Sequence, residues 1–339
     1  MYQKDTMDQR FQELIRWLNE SHSVSADEVI PASSDASNRR YYRFNWQGHS
    51  YIVMDAPPDL EDCHPFLHSQ QQLYQVGVPV PEIFRSNPER GFLLLTDFGS
   101  ETFLNRVINK PQEADQWYLK ALNTLIPMQK NSQTNIFPDY SEELLRREVS
   151  LFPDWYVAKE RLITLSPHLS DALNLSIQRI IEHIIKQPKV WVHRDYHSRN
   201  LMITDDHLGV IDFQDAVYGP ITYDAVSLLR DAYISWPEEQ QLDWLIRYWQ
   251  ELKKEQLLVN NDFSEFYRDF EMMGIQRHLK VVGIFARLAH RDNKKGYLAD
   301  IPRVWGYLRA AVSRYNELSP LMKVLDFLED KPDDIGYTF

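Results

Sequence analysis

Apolar side chains recur every three or four residues over 7–20, where Phe11, Leu14, Ile15 and Leu18 share one face; this spacing predicts an amphipathic helix. The period then shortens. The stretch "RRYYRFNWQGHSYIVMDA" predicts two strands, 39–46 and 50–55, around a turn at Gln47-Gly48. Residues 64–76 read as a short helix closed by Gly77, and the prolines of "VPVPEIF" hold the next segment extended. "GFLLLTDF", 91–98, is a further strand. Beyond it the pattern turns helical: first 112–130, then 170–187, where Ser170 can cap and Leu173, Ile177, Ile180, Ile181 and Ile184 form the apolar face. Helical segments return from 238 onwards. Two short runs, "KVWV" (189–192) and "LGVIDF" (208–213), interrupt the helices as strands. This is an α+β distribution: a small β-rich N-terminal lobe over 1–97, a hinge near 97–101, and a large, mainly helical C-terminal lobe over 98–339.

Composition narrows the picture a little. A chain of 339 residues, 43% hydrophobic, is long enough for two lobes with a core each. The net charge of −12 opposes general nucleic-acid binding but leaves room for a local basic pocket. The single cysteine, Cys63, rules out an intrachain disulfide and a four-thiolate metal site, and suits a reducing compartment. The N-terminus "MYQKDTMDQR" lacks the apolar segment of a secretory signal, and no apolar run approaches the ~18–20 residues of a spanning helix. The expectation is a soluble, cytoplasmic monomer with neither nucleic acid nor membrane as a partner.

The chemistry concentrates in "HRDYHSRN", 193–200, between the two short strands. Asp195, Asn200 and Asp212 come off strand ends and can converge on one point. Few oxygen donors on a rigid hairpin suit Mg²⁺, which keeps waters and binds substrate phosphates. A carboxylate not engaged by metal can accept a proton from an attacking hydroxyl. Protein kinases carry H-R-D-x-x-x-x-N followed by a metal-binding Asp in D-F-G. This chain has the first in full and Asp212-Phe213-Gln214 for the second. The competing interpretation is turn chemistry, which Asp and Asn also favour. His197 fits either catalysis or a bond that braces the loop.

On these residues the chain resembles the aminoglycoside phosphotransferase/choline kinase family. The family's loop H-x-D-x-H-x-x-N is matched by "HRDYHSRN", its metal strand by "VIDFQDAVYGP", and its following Y-D motif by "TYDAVSLLRD". The phrases "PASSDASNRRYYRF", "YIVMDAPPD" and "QRHLKVVGIFARLAHRD" are similar to the bacterial anomeric sugar kinases that phosphorylate N-acetylmuramate and N-acetylglucosamine at C1 during cell-wall recycling. The resemblance implies a protein-kinase-like two-lobed fold with ATP and Mg²⁺ as cofactors. It also implies Asp195 as catalytic base, Asn200 and Asp212 as metal ligands, Asp224 as anchor of the catalytic loop, and a small-molecule sugar as substrate.

The chain departs from the kinase pattern in its small lobe. Met54 stands where a lysine belongs, and the helix "HPFLHSQQQLYQ" has no glutamate to pair with one. Ser33, Ser34, Ser37 and Asn38 lie in the first β-turn, where small residues admit phosphates and hydroxyls donate to them. Strand alternation places Arg39, Tyr41 and Arg43 on one face and Arg40 on the other. Arg43 or Arg40 is the expected substitute for the lysine; a solvated edge strand is the alternative. The backbone around Thr96 and Asp97 is the expected adenine site. On 274–292, Arg277, Lys280, Arg287 and Arg291 form a basic stripe that is either solvated or a wall for an anionic substrate, such as the lactyl carboxylate of muramic acid. Asp215 either orients a sugar hydroxyl or caps a turn. Rival expectations are a kinase of another alcohol on the same fold (an aminoglycoside, choline or a different sugar) and a nucleotide-binding pseudokinase.

Overall fold

A computed structural model describes residues 2–34, 38–205 and 207–330. Helix α1, Tyr2–Asn19, buries Leu14, Trp17 and Leu18 at i, i+3 and i+4 spacing. Strands β1 (Ile30–Ser34), β2 (Arg40–Trp46) and β3 (His49–Asp55) follow, then α2 (His64–Gln75), β4 (Ile83–Asn87) and β5 (Phe92–Thr96). They form one antiparallel sheet in the order β1-β2-β3-β5-β4. Tyr42, Phe44 and Trp46 alternate onto the face that carries α1, where Phe44, Val53, Phe92 and Leu94 close a core with Leu14, Trp17 and Leu18. Gln47 and Gly48 both have positive φ, the condition for a tight two-residue hairpin between β2 and β3.

Gly91 turns the chain from β4 into β5 with φ +71, and a Cβ there would stand 1.7 Å from the Ala56 carbonyl oxygen. The same residues are joined by a 2.8 Å bond from the Ala56 N–H to the Gly91 carbonyl. Gly91→Ala is therefore expected to destabilise the protein by about 2–3 kcal/mol, through both backbone strain and the collision. Urea unfolding monitored by circular dichroism measures it, and a loss under about 0.5 kcal/mol, the scale of an ordinary surface change, would contradict it.

The remaining elements are α3 (Phe103–Asn109), α4 (Ala114–Lys130), α5 (Glu142–Val149), α6 (Pro167–Ile184), β6 (Lys189–Val192), β7 (Leu201–Thr204), β8 (His207–Val210), β9 (Val217–Pro220), α7 (Tyr223–Leu229), α8 (Glu238–Lys254), α9 (Phe263–Arg291), α10 (Ile301–Ser313) and α11 (Ser319–Asp330). The chain forms two units. One holds the residues up to Thr102 together with Leu201–Asp215; the other holds Phe103–Asn200 and the chain from Ala216 on. The sequence reading divides the chain once, at 97–98, so the hairpin β7–β8 and the residues after it fall in a different unit from the one expected.

Three local expectations need correction. The strand read at 208–213 ends at Val210 and pairs with β7, whereas β6 pairs with β9. The cap of α6 is Ser166, whose side chain accepts from the Leu169 N–H; Pro167 at the first turn starts the helix earlier than the apolar spacing suggested. A π-helical segment, Phe152–Glu160, went unread. It lies where the Leu151 backbone crosses α9 at Gly283, and a Cβ on Gly283 would come within 2.4 Å of that backbone. Among the described residues, no helix is long and apolar enough to cross a membrane.

Candidate active site

Strand β6 delivers the motif into a loop held from below by two carboxylates of the same unit. Buried Asp224, at the start of α7, accepts the His193 N–H at 2.7 Å and the Arg194 N–H at 3.0 Å. Arg194 has φ +74, a strained conformation for a long side chain. Buried Asp231, just past α7, accepts the Ser198 and Tyr233 N–H groups, each at 2.8 Å. Within the loop, the Asn200 amide nitrogen donates to the Asp195 carbonyl at 3.0 Å, and the Asn200 N–H donates to the His197 carbonyl. The loop thus brings Asp195, His197 and Asn200 together. Fixing the Asn200 nitrogen inward makes its oxygen the atom of that amide a cation would use.

A second layer of charge lies beneath Arg194. Glu148 accepts from Arg194, from the Tyr140 hydroxyl, and from Lys280 of α9 at 3.0 Å; Lys280 also donates to the Tyr223 hydroxyl at 3.0 Å. Burial pushes the Asp195 carboxyl up, but Lys280, His197, Arg277 and His193 outweigh it and hold the group below the usual carboxylate range. Burial, reinforced by Arg277 and Arg199, pushes His197 down, so at neutral pH Lys280 and Arg277 supply the positive charge around Asp195. Burial and the Asp195 charge push Asp224 up to about 7, against the two backbone N–H groups that favour its ionised form.

The other unit holds Asp212, after β8, also with positive φ (+66). Gln214 donates to Asp212 Oδ1 at 2.8 Å, and buried Phe213 packs against Phe66 of α2 with ring centroids 4.8 Å apart. Asp215 is exposed in the turn that follows. The Asp212 carboxylate oxygens and, in the other unit, the Asn200 amide oxygen are each hard donors of the kind Mg²⁺ takes. Among the described residues no cluster of three or more His, Cys, Asp or Glu is placed to hold a metal ion.

The sheet register separates the two candidate arginines. Arg40 pairs across the sheet with buried Asp55, on the α1 face, where Asp55 also accepts from Arg10 of α1. Arg40 is thus tied into a structural ion cluster. Arg43 shares the opposite face with Ile52 and Met54. Its guanidinium grips Asp97 with two bonds, 2.6 and 2.8 Å, and donates to the Gly99 carbonyl at 2.7 Å. Asp97 also accepts from Ser50 and the Gly99 N–H. Burial pushes Asp97 up, but these donors outweigh it and hold it below its ordinary value. Arg43 thereby fastens the 97–99 segment to β2. Met54 is fully buried between Tyr41 and Leu93, so this position of β3 offers no cation. Thr96 accepts the Glu82 N–H at 3.1 Å, and Glu61 accepts the Asn38 N–H at 3.1 Å. Ser33 and Ser34 pair as backbone with Tyr41 and Arg40; Ser37 lies outside the described residues.

Because the Asp97 pKa is depressed on folding, its pair contributes stability above the unfolded value and loses it as pH falls through the folded one. Asp97→Asn is expected to cost about 1–2 kcal/mol at pH 7 and progressively less as pH falls below the model-peptide value of about 3.9. Thermal melts across pH check this; a cost that does not change with pH would overturn it.

On α9, the residues from Asp269 to Gly283 are all buried, so the basic stripe is not a solvated face at its N-terminal end. Arg277 is 4% exposed and Lys280 is 7% exposed. Arg287 is half-buried further along, and exposed Arg291 pairs with Asp292. Asp231, Glu148 and Tyr140 escaped sequence reasoning. "LLRD" after the Y-D motif carried the only signal for Asp231, while nothing local marks Glu148, 46 residues from Arg194.

Known proteins share the family and the fold. The model of the phosphotransferase enzyme family matches residues 28–258. An N-acetylmuramate/N-acetylglucosamine kinase of Pseudomonas putida is 43% identical, over 95% of this chain and 97% of its own. One of Pseudomonas aeruginosa is 44% identical, over 94% and 96%. Among solved structures, a choline/ethanolamine kinase family protein from Mesorhizobium loti has a TM-score of 0.64 at 11% identity, covering 95% of this chain and 99% of its own, and shows that the fold is shared. With the H-R-D loop braced on Asp224 and a family match across most of its length, the chain belongs to the phosphotransferase enzyme family.

Proposed function

We propose that this protein transfers the γ-phosphoryl group of ATP to the anomeric hydroxyl of N-acetylmuramate and N-acetylglucosamine, releasing ADP and a sugar 1-phosphate. The observation that carries the reading is the near-full-length identity of 43–44% to kinases of that name, with the whole 193–200 motif present in this chain. Asp195, held ionised by Lys280 and Arg277, takes the proton of the attacking hydroxyl. The anomeric hydroxyl is more acidic than other sugar hydroxyls because the ring oxygen withdraws density, which lessens the basicity asked of the carboxylate that accepts its proton. The sugar oxygen bonds to the γ-phosphorus as the bond to the β–γ bridging oxygen breaks. Asn200 and Asp212 would hold Mg²⁺, which when bound neutralises charge on the phosphates. Arg43 and Asp97 steady the 97–99 segment, whose backbone we assign to the adenine.

A coupled assay of ADP release tests this with both amino sugars, the methyl glycoside of N-acetylglucosamine, choline and kanamycin. Turnover with the two reducing sugars and none with the glycoside supports the reading. Turnover only with choline or kanamycin keeps the family and sinks the substrate.

A further inference from the structure

We propose that the Arg277 guanidinium is the anion receptor of the acceptor pocket and takes the carboxylate of an acidic sugar; this rests on the sugar-kinase reading above. Arg277 is 4% exposed, yet its Nε and Nη1 are buried without a hydrogen-bond partner, and it makes no ion pair among the described residues. Its neighbour Lys280, one turn along α9, shows the contrast, being paired with Glu148 and Tyr223. An arginine cannot shed its charge by deprotonating, so a buried guanidinium whose nitrogens lack hydrogen-bond partners is costlier than an apolar residue in its place. Such a group is explained by a ligand that completes it.

The surroundings suit a sugar. Arg277 is within electrostatic range of Asp195, His197, Asp224 and Tyr233, as well as of its helix neighbour His278. The Tyr233 ring meets the His197 ring edge-on at 5.3 Å, carries the Arg199 guanidinium 3.6 Å from its centroid, and continues into Phe285 and Tyr297. This aromatic wall begins at the catalytic loop, and sugar faces pack on such walls. A planar guanidinium fork matches a carboxylate with two parallel bonds. A neutral acceptor has no use for the charge, whereas an acid substituent does. A phosphoryl oxygen offers the same chemistry from another source, and the test separates the two.

The test compares N-acetylmuramate with its neutral lactyl amide, in wild type, Arg277→Gln and Arg277→Lys. The readout is the ratio of kcat/KM for acid over amide. The proposal expects that ratio to fall about 100-fold in Arg277→Gln and less in Arg277→Lys, the size of effect seen when one partner of a buried charge pair is removed. An unchanged ratio, whatever the absolute loss, overturns the proposal and assigns Arg277 to the phosphoryl group or to the loop. Calorimetric titration of the acid without nucleotide covers the case in which no product forms. If wild type binds the acid and Arg277→Gln binds it far more weakly, Arg277 stands while the substrate reading falls. If wild type binds no acid, the Arg277 proposal falls as well.

Discussion

Asp195→Ala lowers kcat about a thousandfold and leaves nucleotide affinity within about twofold, as expected for loss of a positioned base that does not hold the triphosphate. The size follows from the site. The carboxylate is ionised at neutral pH under the fields of Lys280 and Arg277, and its backbone is fixed by the Asn200 amide bond to its carbonyl. Asp195→Asn keeps the shape and loses the proton acceptor, so it should fall nearly as far. Because the Asp195 pKa lies below the usual carboxylate range, this group imposes no loss of rate between pH 5 and 8. A variant with near-normal turnover would remove Asp195 from the chemistry.

Asp224→Ala is expected to cost about 3–4 kcal/mol of stability and at least a hundredfold in kcat/KM. Its carboxylate serves the two N–H groups that open the catalytic loop, and truncation leaves both buried without an acceptor. The strained Arg194 conformation would then lose part of what enforces it. Burial and Asp195 push Asp224 up to about 7, and the signs for activity and stability are opposite. The working form accepts both N–H groups and is ionised, so activity rises with pH through about 7 and then levels. The folded state keeps a proton that the unfolded chain has already lost, so the Asp224 contribution to stability falls as pH rises from the ordinary aspartate value of 3.8 towards 7. Asp224→Asn abolishes the acid limb of the rate profile if Asp224 sets it; an unchanged limb would assign it elsewhere. Denaturant melts and kcat/KM profiles across pH measure both.

Much of this was legible because it is local. The helical period of 7–20, the two-residue turn at Gln47-Gly48 and the H-R-D loop all depend on neighbours in sequence, and strand alternation alone separates Arg40 from Arg43. Partners distant in sequence were not legible. Nothing near Arg40 reveals that Asp55 and Arg10 enclose it, and nothing near Arg43 reveals that Asp97 takes both arms of its fork. The pairing of β6 with β9 was missed for a similar reason: β7–β8 is an equally apolar run that closes on itself. The basic stripe on α9 was ambiguous because helical period assigns residues to a face but does not say what covers it. Here the helix is buried all round from Asp269 to Gly283, so charge at Arg277 and Lys280 lies inside the unit.

Phosphorus NMR of the purified protein with ATP, Mg²⁺ and either N-acetylmuramate or N-acetylglucosamine tests the central claim most directly, with the Asp195→Ala protein as control. The account predicts a new phosphomonoester signal split by coupling to the anomeric proton, with ADP formed in equal amount and neither in the control. Nucleotide binding with no such signal from either amino sugar, or a signal coupled to any other proton, would contradict it.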